Sequence, residues 1–212
     1  GQVTEVKDPN NNITQYGYNA LGYLAAIQQD PSGINAATQI TYDIFGNVNA
    51  VTDPNNHVTD YDYNALHWLI QERNPLNFLT KYTHDQNGNV MKVERQSDAG
   101  ATQWQTVQMT YDVLNNLKTV TDPLNRITTY NYDNNENLIS MVDANTKTTT
   151  YQYDERDFLF KVTDANTPSA GVTQYDYDNN GNLKRILDAK AQATNYTYDL
   201  FDRLDVMTYA DG

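Results

Sequence analysis

Apolar and polar positions alternate along this chain in short runs, and the runs themselves recur. Thr59, Tyr61 and Tyr63 are separated by Asp60 and Asp62, the period-two pattern of a strand whose two faces differ. Aligning the chain on Tyr18, Tyr42, Tyr63, His84, Tyr111, Tyr132, Tyr153, Tyr177 and Tyr198 gives spacings of 24, 21, 21, 27, 21, 21, 24 and 21 residues. The base period is therefore 21, with three insertions. One residue after the anchor, every copy has Asp or Asn, and six after it every copy has Leu or Val: Leu24, Val48, Leu69, Val90, Leu117, Leu138, Leu159, Leu183 and Leu204. Two before it stands Tyr, with Ile40 and Met109 as substitutes. Four before it stands Thr, with Val107 as the exception. Nine after it stands Ile, Val or Met, and only Glu72 breaks that column.

Each column has a physical reading. Thr, Tyr and Tyr at −4, −2 and 0 share one strand face. Asp or Asn at +1 opens a turn, which Gly closes in Asn87-Gly88, Asn180-Gly181 and Phe45-Gly46. A second strand follows, then a turn announced by Asp8-Pro9, Asp30-Pro31, Asp53-Pro54 or Asp122-Pro123. One repeat is thus strand, turn, strand, turn, with about six residues per strand. Positions +6 and +9 differ in parity, so a regular strand cannot turn both to one side. A bulge between them would reconcile the two. So would a +6 Leu held in the turn and folded inward, and that is the arrangement expected here.

The predicted fold is all-β: tandem β-hairpin repeats forming one continuous curved antiparallel sheet of roughly 18 strands. Its core is expected in the laddered columns, with Tyr18, Tyr42, Tyr63, Tyr111, Tyr132, Tyr153, Tyr177 and Tyr198 joined by Leu24, Val48, Leu69, Leu117, Leu138, Leu159, Leu183 and Leu204. Each strand pair is too small to stand alone and gains its contacts from the next. Residues 1–212 read as a single array of about nine repeats without a separate catalytic or toxin domain. The insertions, near Ile34–Ala37, Ser97–Gln105 and Thr167–Gly171, read as longer hairpin loops. Both end copies are cut mid-pattern, which reads as an excerpt of a longer array.

Composition narrows the chemistry. The chain has 212 residues, a formal net charge of −13 and no cysteine, and tyrosine supplies 17 of its aromatic residues. The missing thiols exclude disulfides, Cys-bound zinc and Fe–S clusters. The negative charge argues against nucleic acid and anionic membrane surfaces. Nothing approaches the ~20 apolar residues of a spanning helix, and ~6-residue strands are too short for a membrane barrel. His57, His67 and His84 each replace a residue of the repeat, and no Ser among Ser32, Ser97, Ser140 and Ser169 shares a column with a His in a neighbouring repeat. A Ser-His-Asp arrangement therefore has no basis. Asp43, Asp112, Asp133, Asp154, Asp178 and Asp199 form one turn column rather than a converging glycosidase pair. The Asp85–Asn89 and Asp178–Asn182 segments resemble calcium loops but lack the closing Glu. No catalytic, cofactor or metal site is predicted.

The units Tyr61-Asp62-Tyr63-Asn64 and Tyr175-Asp176-Tyr177-Asp178-Asn179-Asn180-Gly181-Asn182-Leu183, with Val51-Thr52-Asp53-Pro54, resemble the YD repeat of the Rhs family. That family includes bacterial Rhs and wall-associated polymorphic toxins, the B and C components of insecticidal toxin complexes, and animal teneurins. The resemblance implies hairpins spiralling into a hollow shell, which in bacterial members encloses a toxin domain. It implies a secreted or surface protein whose partners are the rest of its shell and an enclosed effector. No segment here stands outside the repeat register, so self-processing and toxicity are not implied. The rival reading is a carbohydrate-binding or adhesion module, because repeated Tyr flanked by Asp and Asn suits sugar stacking.

Overall fold

The structure is a computed structural model that describes residues 1–97, 102–165 and 171–210. Its regular elements are 19 strands of one antiparallel sheet, with no helix among the described residues. The chain folds as two compact units, Gly1–Val107 and Gln108–Gly212. In the first unit, β1 (Glu5–Lys7), β2 (Ile13–Tyr18), β3 (Leu24–Gln29), β4 (Ala36–Tyr42), β5 (Val48–Thr52), β6 (Val58–Tyr63), β7 (Leu69–Arg73), β8 (Leu79–His84) and β9 (Val90–Gln96) form a meander. The unit boundary falls inside β10 (Trp104–Tyr111).

The second unit continues with β11 (Leu117–Thr121), β12 (Ile127–Tyr132), β13 (Leu138–Val142), β14 (Thr148–Tyr153) and β15 (Leu159–Asp164). It ends with β16 (Gly171–Tyr177), β17 (Leu183–Leu187), β18 (Ala193–Tyr198) and β19 (Leu204–Tyr209). Again each strand pairs antiparallel with the next. The 19th strand is β1, a half-repeat ahead of the first anchor.

The +6 column departs from expectation. Leu24, Val48, Leu69, Leu117, Leu138, Leu159, Leu183 and Leu204 open strands and do not sit in turns. Tyr132 pairs with Leu138 and Asn131 pairs with Ser140, which leaves Ile139 as an extra residue. The same register shift occurs at every anchor, for example Tyr153 with Leu159 and Tyr177 with Leu183. A bulge at +7 adds one residue and so reverses the parity of everything after it. This puts +6 opposite Tyr 0 and +9 opposite position −2, all on one face, as in Tyr130 with Met141.

The insertions also move. The first is loop 30–35, and Ala36 and Ala37 already belong to β4. Of Ser97–Gln105, 98–101 lies outside the described residues, and Trp104 and Gln105 begin β10. Of Thr167–Gly171, 167–170 lies outside them, and Gly171 opens β16.

A second departure concerns the core. Burial alternates as the pattern requires: in β6, Thr59, Tyr61 and Tyr63 are half-buried while Val58, Asp60 and Asp62 are exposed. Yet no side chain among the described residues is fully buried. A sheet becomes dry inside only when a second layer covers it, and within each unit the described strands contact only their in-plane neighbours. The laddered columns thus form a half-buried face rather than an interior.

Candidate functional site

The tyrosine face is built by a contact that couples consecutive repeats. Past the bulge, pairing with the following strand stops short of the +6 residue, as where Ser140 with Thr150 is the last pair of β13 and β14, so the +6 carbonyl lies beyond the end of that ladder. In several repeats, though not at Tyr63, the anchor Tyr of the next repeat reaches that group. Tyr132 Oη donates to the Leu117 carbonyl at 3.0 Å, Tyr153 to Leu138 at 3.0 Å, Tyr177 to Leu159 at 2.9 Å and Tyr198 to Leu183 at 3.0 Å. In the first unit, Tyr42 donates to Leu24 at 2.7 Å and Tyr18 to Val3 at 2.8 Å. Partial desolvation, followed by the charge of neighbouring phenols and the preceding turn's Asp, pushes the Tyr132, Tyr153 and Tyr177 phenols above their ordinary pKa. Each ring therefore lies across the adjacent strand, its hydroxyl held by backbone.

The turns share one design. Asp43 Oδ1 accepts from the Phe45 and Asn47 amides at 2.8 and 2.9 Å, and Asn47 Nδ2 donates to Oδ2 at 2.8 Å. Gly46, at φ 89°, donates its amide to the Asp43 carbonyl, so a type I turn is closed by one left-handed residue. The Pro-bearing turns do the same with His57 on Asp53 and Arg126 on Asp122. At Asp43 the side-chain bond from Asn47, and at Asp112 the backbone bond from Asn116, lead the contacts that hold the carboxyl below its usual range. At Asp133, Asp154 and Asp178 partial desolvation acts upward but is outweighed by such bonds.

Neighbouring turns also recognise each other. Three repeats carry an aromatic residue at +5, and each lies over a left-handed glycine in the next repeat. A Cβ at Gly46 would lie 2.8 Å from Tyr23 Oη, one at Gly88 3.0 Å from Trp68, and one at Gly181 2.9 Å from Phe158. The same rings pack on the next anchor, Tyr23 on Tyr42 and Phe158 on Tyr177 at 5.0 Å, and Trp68 on His84 at 5.4 Å. Where +5 is Asn, the next left-handed residue is never Gly. Asn137 Nδ2 then donates to Asp157 at 2.7 Å, Asn182 to Asp202 at 2.8 Å and Asn47 to His67 Nδ1 at 2.9 Å. This pairing of +5 with the following +4 escaped the sequence reading, although the two columns vary together in plain view.

The sequence-flagged polar residues do not converge. His57 closes its own turn on Asp53 at 3.0 Å, His67 is the left-handed residue of another turn, and His84 stacks on Trp68. Ser140 accepts from Asn131 at 2.9 Å, Ser97 donates toward the Gln103 carbonyl, and Ser169 lies outside the described residues. Asp176 pairs with Arg185 at 2.6 Å on the face opposite the tyrosines, whereas Asp178 is a turn residue. No group of three potential metal ligands occurs among the described residues. Each unit thus offers two sheet faces and, among the described residues, turns whose opening Asx side chains are held by their own loops.

The sequence matches the Teneurin YD-shell family over residues 70–212 and the RHS Repeat family over residues 1–34 and 42–79. No curated protein sequence matches it. Among solved structures, the TcdB2-TccC3-Cdc42 crystal structure aligns with 93% of this chain at a TM-score of 0.70 and 16% identity. TcdB2-TccC3 without its hypervariable C-terminal region gives the same values. The Photorhabdus luminescens Tc holotoxin pore aligns with 92% of it at 0.64 and 14% identity. The chain spans only 12% of the first two matched chains and 13% of the third.

Proposed function

Because this chain belongs to the Teneurin YD-shell family, we propose that it is a stretch of wall in an encapsulating β-shell, sheltering a toxin or effector domain outside this sequence. The supporting observation is a sheet in which no side chain among the described residues is fully buried. Such a layer completes its burial against something else, and a wall has contents on one side. The laddered tyrosines and bulge leucines are, on this reading, construction positions. The turn carboxylates are occupied by hydrogen bonds within their own loops, which favours a structural role over hydrolysis. A secreted or surface location, bacterial as in Rhs proteins, goes with the proposal.

Electron microscopy of a YD-repeat protein carrying this segment tests it. The segment is expected in the wall of a hollow body, with the enclosed domain resistant to protease until the wall is breached. A free appendage, or specific sub-micromolar binding of a glycan to the half-exposed tyrosine rings, would overturn the wall reading in favour of a binding module.

A further inference from the structure

Glu72 is the one interruption of an otherwise apolar column, and β7 holds it on the tyrosine face. It stands opposite Tyr61 of β6 on one side and Thr80 of β8 on the other. The Tyr82 hydroxyl donates toward its Oε2 at 3.4 Å, a long bond. Partial desolvation first, and the Glu72 charge second, push the Tyr61 and Tyr82 phenols above their ordinary pKa. Glu72 makes no ion pair among the described residues. The cation on this face is Arg95, which pairs in register with Thr80, so its backbone stands two strands, about 9.6 Å, from that of Glu72, and its charge reaches the Tyr82 phenol, where it opposes the upward push.

A carboxylate placed on a half-desolvated aromatic face is unfavourable unless a positive group meets it. Here the anion is flanked by two tyrosine rings, which themselves attract cations through their faces. A metal ion would need several oxygen ligands, whereas this face supplies one carboxylate. A guanidinium fits better, because its plane can stack on a ring while its fork meets the carboxylate. We propose that Tyr61, Glu72 and Tyr82 form a receptor for an arginine side chain of a polypeptide lying along the tyrosine face. The net charge of −13 favours approach of such a basic segment. The site lies within the first unit and does not depend on the face lining a shell.

The test uses the whole 212-residue chain and argininamide as the probe, followed by NMR of the tyrosine rings and glutamate carboxyls. Saturable shifts are expected at Tyr61, Tyr82 and Glu72, with weaker binding of lysinamide and no saturable shift with citrullinamide. Glu72→Gln should weaken argininamide binding about tenfold or more, while Glu72→Val, which restores the column, should abolish it and keep the sheet spectrum. An arginine-bearing peptide should bind tighter than argininamide. Equal shifts in Glu72→Gln, or displacement of the probe by magnesium or calcium, would overturn the proposal. So would binding that appears only in Arg95→Ala, since Arg95 would then fill the site itself.

Discussion

Removing one hydroxyl from the middle of the second unit tests whether bulge and tyrosine act as a single device. Tyr153→Phe deletes the 3.0 Å bond to the Leu138 carbonyl and leaves the ring in place. A bond of this kind contributes about 0.5–1.5 kcal/mol. The site is half-buried, and water can reach the freed carbonyl, so the loss should be about 0.5–1 kcal/mol, which is about 1–4 °C in Tm for a chain of this size. The partner experiment deletes Ile139, the extra residue of the bulge. That deletion lets Leu138 and Met141 stay on one face of a regular strand, and the pairing with β14, which stops at Ser140, should then extend to the Leu138 carbonyl. In that background Tyr153→Phe should cost almost nothing, so the double-mutant cycle carries a coupling of the same size as the single loss. Tyr151 supplies the control, because its hydroxyl has no hydrogen-bond partner among the described residues, and Tyr151→Phe should be near neutral. Circular dichroism against denaturant measures all four variants. An equal cost of Tyr153→Phe with and without Ile139, or a cost matched by Tyr151→Phe, would refute the reasoning.

Further outcomes are expected. Gly181→Asp forces a Cβ to 2.9 Å from the Phe158 ring and should cost about 1–3 kcal/mol by overpacking; adding Phe158→Asn should recover most of it in thermal unfolding, as the Asn182–Asp202 and Asn137–Asp157 pairs suggest. Leu138→Ala should cost about 1–2 kcal/mol, below the 2–5 of a fully buried leucine, because its face is half-exposed; a larger loss would reveal a covering layer. Glu72→Val should raise the midpoint by the equivalent of about 0.5–1 kcal/mol, since it removes a poorly compensated carboxylate from the aromatic face. For pH, the turn aspartates have lowered folded-state pKa values, led at Asp43 by the Asn47 bond and at Asp199 by the Arg203 side chain. Their stabilisation is present above the unfolded value of 3.8 and lost as pH falls through the lower folded values. Acidification from neutrality toward the pI of about 4.4 should first stabilise by relieving repulsion, and the midpoint should then drop below pH 3.8. A midpoint rising monotonically to pH 2 would contradict this.

The sequence by itself determined the repeat, the strand count to within one, the alternation of faces and the Asx residues that open the turns. All of these depend on contacts between residues a few positions apart, where periodicity, turn chemistry and hydrogen-bonding reach are already encoded. The position of Leu138 was not legible, because the alternatives of bulge and folded-in turn present the same string of residues. The choice rests on the Leu138 carbonyl finding Tyr153 fifteen positions later. The fit of Phe158 over Gly181, or of Asn137 with Asp157, likewise exists only once neighbouring hairpins lie side by side. So does the setting of Glu72 between Tyr61 and Tyr82, which turns a broken column into a charged spot on an aromatic face. The openness of the sheet was also beyond the sequence, since a Tyr-Leu-Val face reads as core whether or not a second layer covers it, and only the fold decides how much water is excluded.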